Sequence, residues 1–136
     1  MAISEHLHQI GEVAERLGLS LRTVRYYEEM GLITPAERTE GGFRLYSNDE
    51  IERLELIKEM KPLGFTVQEM RALLDAKDTL ADGFDSDALD ALKGFATTAK
   101  QKVAELHTQL ERAEHFSRAL ERETKRHQRG RRAATR

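Results

Sequence analysis

Residues 10–29 read IGEVAERLGLSLRTVRYYEE, a pattern of two short helices joined by a tight turn. In the first half, apolar residues recur three and four positions apart, which predicts a helix lying on a core. Gly18 follows this stripe, where a helix favours a residue that accepts a left-handed cap. Ser20 offers a side-chain oxygen that can cap a second helix, from Leu21 to Met30. The stretch therefore predicts a helix-turn-helix.

The second predicted helix has an outer face that suits a DNA groove. Val24 and Tyr27 are expected to turn inward, which leaves two arginines and a tyrosine outside. An arginine guanidinium can fork onto guanine or clamp a phosphate. For this stretch taken alone, an ordinary helical hairpin with a solvated basic face is the alternative. The candidate DNA contacts are Ser20, Arg22, Thr23, Arg25 and Tyr26.

Composition limits the classes of protein that the chain can belong to. Its 136 residues allow one compact domain plus an appendage, and 34% of them are charged. No cysteine is present, which excludes thiolate metal sites, disulfides and thiol redox sensing. No signal peptide or membrane-length apolar run is visible. We expect a soluble, cytoplasmic protein with no membrane partner.

Charge is unevenly distributed along the chain. Residues 1–76 hold 9 Lys and Arg against 14 Asp and Glu, and residues 77–124 hold 7 against 10. Residues 125–136 hold six basic residues and no acidic one. The formal net charge is −2, so total charge gives no support for nucleic-acid binding. That function must rest on where the basic residues are placed.

Residues 36–46 predict a small β-hairpin. Gly41-Gly42 suits the turn, because a positive φ costs glycine nothing. Phe43 and Leu45 are expected to face the core in the alternating strand that follows. A hairpin of this length is not stable alone, so it should pack on the helices as a wing. Its candidate DNA contacts are Arg38, Arg44 and Tyr46, although Arg44 can also be read as a solvated strand residue.

Two more helices are predicted by capping boxes, in which Ser or Thr is followed three residues later by Glu. The pairs are Ser47 with Glu50 and Thr66 with Glu69. Between these helices, the tight connection at residues 63–65 is a candidate second wing. Lys58 and Lys61 lie near enough along the chain to reach a DNA backbone, and plain surface lysines are the alternative.

The C-terminal part carries a heptad pattern. Its seam alternates spacings of three and four without interruption: Leu89, Leu92, Ala96, Ala99, Val103, Leu106, Leu110, Ala113, Ser117 and Leu120. About forty residues of helix span roughly 60 Å, too long to fold back on so small a domain. We therefore predict a DNA-binding domain (1–76), a linker (77–86), a dimerisation helix (87–126) and a basic, disordered tail (127–136).

Two motifs resemble those of the MerR family of bacterial transcription regulators. The first is VAERLGLSxRTVRYYEEMGLIxP at residues 13–35, and the second is RTEGGFRLYS at residues 38–47. The resemblance covers roughly residues 8–76. It implies a winged helix-turn-helix in which Arg25, Tyr26 and Arg44 touch DNA.

The same resemblance implies an assembly and a mode of action. A long antiparallel helix would join two copies into a homodimer. The dimer would bind double-stranded promoter DNA in the overlong spacer that separates the two promoter elements. It would then twist the DNA so that RNA polymerase can use the promoter. The seam alone does not fix the antiparallel orientation, which comes from the resemblance.

Other functions are weighed against this interpretation. Metal sensors of this type use cysteines, and His107, His115 and His127 are too far apart along a helix to share a metal. His6 and His8 could pair only at the N-terminus. We expect no metal, no cofactor and no enzyme, since no nucleophile–base pair or phosphate loop is visible. The rival is a small protein-interaction adaptor, similar to chaperone modulators, which would need no DNA-facing residues.

Overall fold

The computed structural model describes residues 7–134, which form five helices and three short strands. In chain order these are β1 (His8–Gln9), α1 (Ile10–Leu17), α2 (Leu21–Glu29), β2 (Glu37–Arg38), β3 (Arg44–Tyr46), α3 (Asn48–Met60), α4 (Val67–Asp82) and α5 (Ser86–Ala134). A 3-10 turn, Lys61–Leu63, joins α3 to α4. The mainly helical fold class with a small wing is confirmed.

The helix-turn-helix forms through the predicted local signals. Gly18 ends α1 in the left-handed conformation, with φ of 67°. The Ser20 side chain caps α2 by accepting a hydrogen bond from the Thr23 amide at 3.0 Å. The inward face is fully buried, and its members are Val13, Ala14, Leu17, Val24 and Tyr27.

The wing is part of a three-stranded antiparallel sheet with strand order β1-β3-β2. The predicted hairpin is confirmed, and Gly42 in its turn has φ of 81°. The strand β1 was not predicted, because two residues directly before a helix carry no periodic signal. It pairs with β3 through Gln9 and Leu45, so β3 is the central strand.

The expected inward face of the wing was wrong at Phe43. This side chain is 64% exposed, because Phe43 belongs to the turn and β3 begins only at Arg44. Tyr46 is buried in its place, with 1% of its surface exposed. The wing therefore rests on the core through the end of β3.

The helices α3 and α4 complete the core above the helix-turn-helix. The Thr66–Glu69 capping box is present in full. At α3 only half of the predicted box forms, because Ser47 accepts from the Glu50 amide while the Glu50 carboxylate accepts from Thr34 instead. The buried side chains of these helices are Ile51, Leu54, Ile57, Met60, Met70, Leu73, Leu74 and Ala76.

The predicted linker at 77–86 is much shorter in the structure. The helix α4 continues to Asp82, so only residues 83–85 separate it from α5. The chain divides into two compact units, one ending at Phe95 and the other starting at Ala96. The first unit extends beyond residue 76 because Leu92 and Phe95 pack against the core, with the Phe95 ring centroid 6.2 Å from that of Phe65.

The expectation of a disordered tail was also wrong for residues 127–134. The helix α5 spans 49 residues and continues through the basic segment to Ala134. Arginine, lysine and alanine are good helix formers, so the single Gly130 costs only about 1 kcal/mol. Basic side chains near the C-terminus also interact favourably with the helix dipole. Surface pairs such as Lys125 with Glu121, 3.7 Å apart, add support one turn at a time.

Candidate nucleic-acid interface

The outer face of α2 carries the predicted group of polar side chains. Arg22, Arg25 and Tyr26 are all exposed, and Tyr26 keeps 45% of its surface in contact with solvent. The Tyr26 ring is braced by the buried Tyr27, whose centroid lies 5.5 Å away at a tilt of 55°. The helix therefore presents two guanidinium groups and a phenol on a face that its own core does not use.

Ser20 and Thr23 have a local structural role at the start of α2. Their hydroxyl groups are 2.8 Å apart, and the Ser20 oxygen also accepts from the Thr23 amide. Both lie beside the exposed face, but this pairing already explains their presence as a helix cap. Their DNA contacts stay a prediction.

Glu28 connects α2 to the wing. Arg44 Nε donates to Glu28 Oε1 at 2.8 Å and lies 2.6 Å from Oε2. Tyr46 Oη donates to Oε2 at 2.7 Å. Arg38, on the other strand of the hairpin, is 3.8 Å from the same carboxylate. One carboxylate thus fixes the wing to the helix that carries the exposed arginines, and we call these four residues the wing cluster.

The wing cluster corrects two predictions. Tyr46 cannot touch DNA as predicted, because it is 1% exposed and its hydroxyl is bound to Glu28. Arg44 is not simply outward, since its side chain is only 27% exposed and pairs with Glu28. Arg38 keeps 57% of its side chain exposed and remains available to a partner.

The protonation states of the wing cluster favour its hydrogen bonds. Burial alone would raise the pKa of Glu28, but the hydrogen bonds from Arg44 and Tyr46 hold that pKa below its usual value. Burial, together with the bond to Glu28, raises the pKa of the Tyr46 phenol. The bond to Glu28 raises the pKa of Arg44 in spite of some burial. At neutral pH, Glu28 is therefore an ionised acceptor between two protonated donors.

Several basic residues outside the wing donate hydrogen bonds to backbone carbonyl groups of the helix-turn-helix region. Lys58 donates to the carbonyl of Leu17 at the end of α1, and its contact with DNA stays a prediction. The backbone after α2 is bound in the same way, by Arg71 at Met30 and by Arg53 at Leu32. Lysine and arginine suit the unpaired carbonyl groups at helix ends. These pairs are 21 to 41 residues apart in sequence, so no local pattern announces them.

Lys61 was predicted as a DNA contact, whereas Glu28 was not predicted to have a role. Lys61 is exposed at the start of the 3-10 turn, on a different element from α2 and the wing, and its DNA contact stays a prediction. The sequence did not predict a role for Glu28, because DNA contacts are expected from basic and aromatic side chains. An acidic residue on a predicted DNA-binding helix was itself a signal, since it needs a cationic partner.

The N-terminal histidines His6 and His8 are the pair that could share a metal at the N-terminus. Of the N-terminal pair, His6 lies outside the described residues. His8 is buried, with its ring nitrogens 2.9 Å from Glu12 Oε1 and 3.0 Å from Asn48 Oδ1. Residues 7–134 contain no group of three or more acidic or histidine side chains placed to hold a metal. Within the same residues, every helix is too short or too polar to cross a bilayer.

The second unit presents the middle of the predicted seam to solvent. Val103, Leu106 and Leu110 are 47–54% exposed, and Leu120 is 47% exposed. Ala99 is half-buried and Ala113 is exposed. Leu92, also predicted for dimerisation, instead packs against the core of the first unit. A row of exposed valine and leucine side chains on one face of a helix is the usual mark of a surface that a protein partner covers.

Family models match most of the chain. The model described as MerR HTH family regulatory protein matches residues 9–77, and the model described as MerR, DNA binding matches residues 51–122. The chain belongs to the MerR family. The resemblance seen in the two sequence motifs is thereby confirmed, and the matches extend it from the winged helix-turn-helix into α5.

Curated MerR-type relatives are similar over different lengths. The mercuric resistance operon regulatory protein of Bacillus cereus is 49% identical over 70 residues, which are 52% of this chain and 53% of that protein. The regulator HmrR of Rhizobium leguminosarum bv. viciae is 39% identical over 103 residues, 76% of this chain and 78% of that protein. The chain spans between about a third and a half of the length of several of the curated relatives that it matches, the Bacillus cereus protein included.

A solved structure shares the fold. HiNmlR, described as a MerR family regulator lacking the sensor domain and bound to promoter DNA, superposes with a TM-score of 0.64. Its sequence is 23% identical, and the match covers 81% of this chain and 86% of that chain. The MerR relatives are named as regulators rather than as enzymes or adaptors, so the adaptor alternative is not favoured.

Proposed function

We propose that this chain is a dimeric, sequence-specific DNA-binding transcription regulator of the MerR type. The observation that carries the proposal is the wing cluster, which fixes the wing to the helix whose outer face holds Arg22, Arg25 and Tyr26. An adaptor would have no use for this arrangement. A helix-turn-helix inserts its second helix into the major groove, so α2 is the proposed reading helix.

Each side chain on this surface has a proposed role. Arg25 and Arg22 contact base edges or phosphates, and Tyr26 contacts the DNA backbone beside them. Arg44 uses Nε for Glu28 and keeps its remaining N–H donors for a phosphate. Arg38 adds an exposed positive charge on the neighbouring strand. Ser20, Thr23 and Lys61 are secondary contacts.

Dimerisation through α5 supplies the second half of the binding site. The exposed seam at Val103, Leu106 and Leu110 would be covered by the same seam of a second copy, giving a two-fold symmetric reader. Two linked helix-turn-helix units bind a palindromic site. Following the family resemblance, we propose that this site lies between promoter elements and that RNA polymerase is the partner that uses the distorted DNA. Because its proposed partner is DNA, we place the protein in the cytoplasm, and we propose no catalytic role.

Selection of bound fragments from genomic DNA tests this function. A regulator of this type enriches a small set of fragments, each with a palindrome located at a promoter. The position of the palindrome relative to the promoter elements then separates activation from repression. Enrichment no greater than for random DNA of equal length would reject the proposal.

A further inference from the structure

The two ends of the C-terminal helical region carry opposite charge. Residues 75–90, here called the acidic turn, span the end of α4 and the start of α5 and hold six aspartates and one lysine. Residues 122–134, here called the basic helix end, hold six Lys and Arg residues and one glutamate. The six aspartates of the acidic turn and the six Lys and Arg residues of the basic helix end are all exposed. All of them except Asp85 lie in helices, which makes the two groups defined surfaces rather than loose tails.

Three of these charged residues have a partner within their own unit. Asp78 binds Arg53 at 2.7 Å, and Asp85 accepts from the Ala88 amide at 2.8 Å. Lys125 is paired weakly along its own helix.

The seam fixes where these ends would meet in a pair. Its exposed middle, at Val103, Leu106 and Leu110, is centred close to Leu106. In an antiparallel pair centred there, residues 126–132 lie about 30–39 Å from the centre at 1.5 Å per residue. The start of the partner's α5, at Ser86, lies about 30 Å from the centre on the same side. The basic helix end therefore arrives beside and just beyond the partner's acidic turn.

We propose that the basic helix end docks on the acidic turn of a second copy, and that this charge pairing selects the antiparallel orientation. The inference rests on the dimer in the proposed function. The apolar seam alone allows either orientation. A parallel pair would place the two basic helix ends side by side. Repulsion between these like charges would disfavour the parallel dimer.

A double-mutant cycle on the dimer dissociation constant tests the docking. The basic variant neutralises Arg129, Arg131 and Arg132 to Gln, and the acidic variant carries Asp82→Asn with Asp90→Asn. Neither variant touches Asp78 or Asp85, whose structural bonds are described above. Each should weaken the dimer about tenfold at low salt, because every exposed pair is weak but is repeated at both ends. The variant that combines both sets of substitutions should dimerise no more weakly than the weaker-binding of the two separate variants.

Matched controls separate a specific contact from a general change in charge. Arg112→Gln with Arg118→Gln removes positive charge from the same helix, away from both charged ends, and should change the constant less than twofold. Raising the salt concentration should shrink the effect of the basic variant, because exposed pairs are screened. An unchanged dissociation constant in both test variants, or fully additive effects, would overturn the docking.

Orientation can be measured directly because the chain has no cysteine. A spin label on Gln128→Cys lies 22 residues from Leu106, so an antiparallel pair separates two labels by about 66 Å along the axis. A parallel pair would place them within about 20 Å, two helix diameters. We expect only the long distance in the wild-type background and an added short distance in the basic variant.

The outcomes distinguish this inference from the proposed function. A dimer that depends on Leu106 and keeps only the long distance in the basic variant rejects the charge selection alone. A wild-type chain that is monomeric at micromolar concentration rejects the proposed dimer itself. An intact dimer whose basic variant binds non-specific DNA more weakly would identify DNA as the occupant and overturn the inference.

Discussion

Glu28 and Tyr46 are joined by a hydrogen bond of 2.7 Å between the α2 carboxylate and the β3 phenol. Because Tyr46 is buried, the bond fixes the position of the wing relative to α2 from inside the domain. Arg44 binds the same carboxylate from the more exposed side. One acidic side chain thus holds α2 and the wing together.

The first prediction is that replacing this carboxylate changes DNA affinity in the direction opposite to the one that simple electrostatics suggests. Glu28→Gln removes a negative charge near the proposed DNA surface, which by simple electrostatics should strengthen binding. We expect weaker binding instead, because the charge-assisted bonds that hold Arg44 are lost. Fluorescence anisotropy on the selected site measures the effect, and Glu29→Gln, on the neighbouring exposed residue, is the control. Tighter binding by Glu28→Gln would show that the wing needs no such support.

The two tyrosine hydroxyls should separate stability from DNA binding. Tyr46→Phe should lower the free energy of unfolding by about 1.5–3 kcal/mol, because it removes a buried hydrogen bond to a charged group. Tyr26→Phe should leave stability unchanged and weaken DNA binding. Urea unfolding and DNA titration of both variants check the pair. A destabilised Tyr26→Phe and an unaffected Tyr46→Phe would reverse the assigned roles.

The wing cluster also predicts a pH dependence of stability. The pKa of Glu28 is lower in the folded chain than its ordinary value, so the carboxylate stabilises the fold above the unfolded pKa. This contribution is lost as the pH falls through the lower, folded pKa. The difference in unfolding free energy between wild type and Glu28→Gln should therefore shrink in acid. A difference that stays constant from neutral to strongly acidic pH would contradict this linkage.

The seam predicts the effect of a charge at its centre. Leu106→Asp should convert the dimer into a monomer, since it would bury opposed carboxylates that have no partners. The first unit should still fold, because Leu106 lies outside it. Sedimentation velocity measures the assembly state, and Arg112→Asp on the same helix is the control. A dimer that persists in Leu106→Asp would place the interface elsewhere.

Much of the fold was predictable because its signals are local. Gly18 and Ser20 mark the helix-turn-helix, and Gly41-Gly42 marks the wing. Each acts through the backbone conformation of one or two residues. Arg22, Arg25 and Tyr26 were correctly placed outside because helix periodicity fixes the face of each residue.

The errors arose where distant parts of the chain decide the outcome. The alternation along the strand did not mark Tyr46 as buried. In the structure it packs into the core, and its hydroxyl binds Glu28. Phe43 was assigned inward because the sequence does not show that the strand begins one residue later. The tail was read as disordered from its composition, although a long preceding helix removes the cost of nucleating a new one.

The central claim is that the outer face of α2 reads DNA sequence, and the most direct test is the affinity of Arg25→Ala for the selected site. We expect a loss of about 1–3 kcal/mol on that site if Arg25 reads a base edge, and a much smaller loss on random DNA. Arg112→Ala, which removes an arginine from α5, should bind both DNAs as the wild type does. Equal affinity of Arg25→Ala and wild type for the selected site would contradict the account.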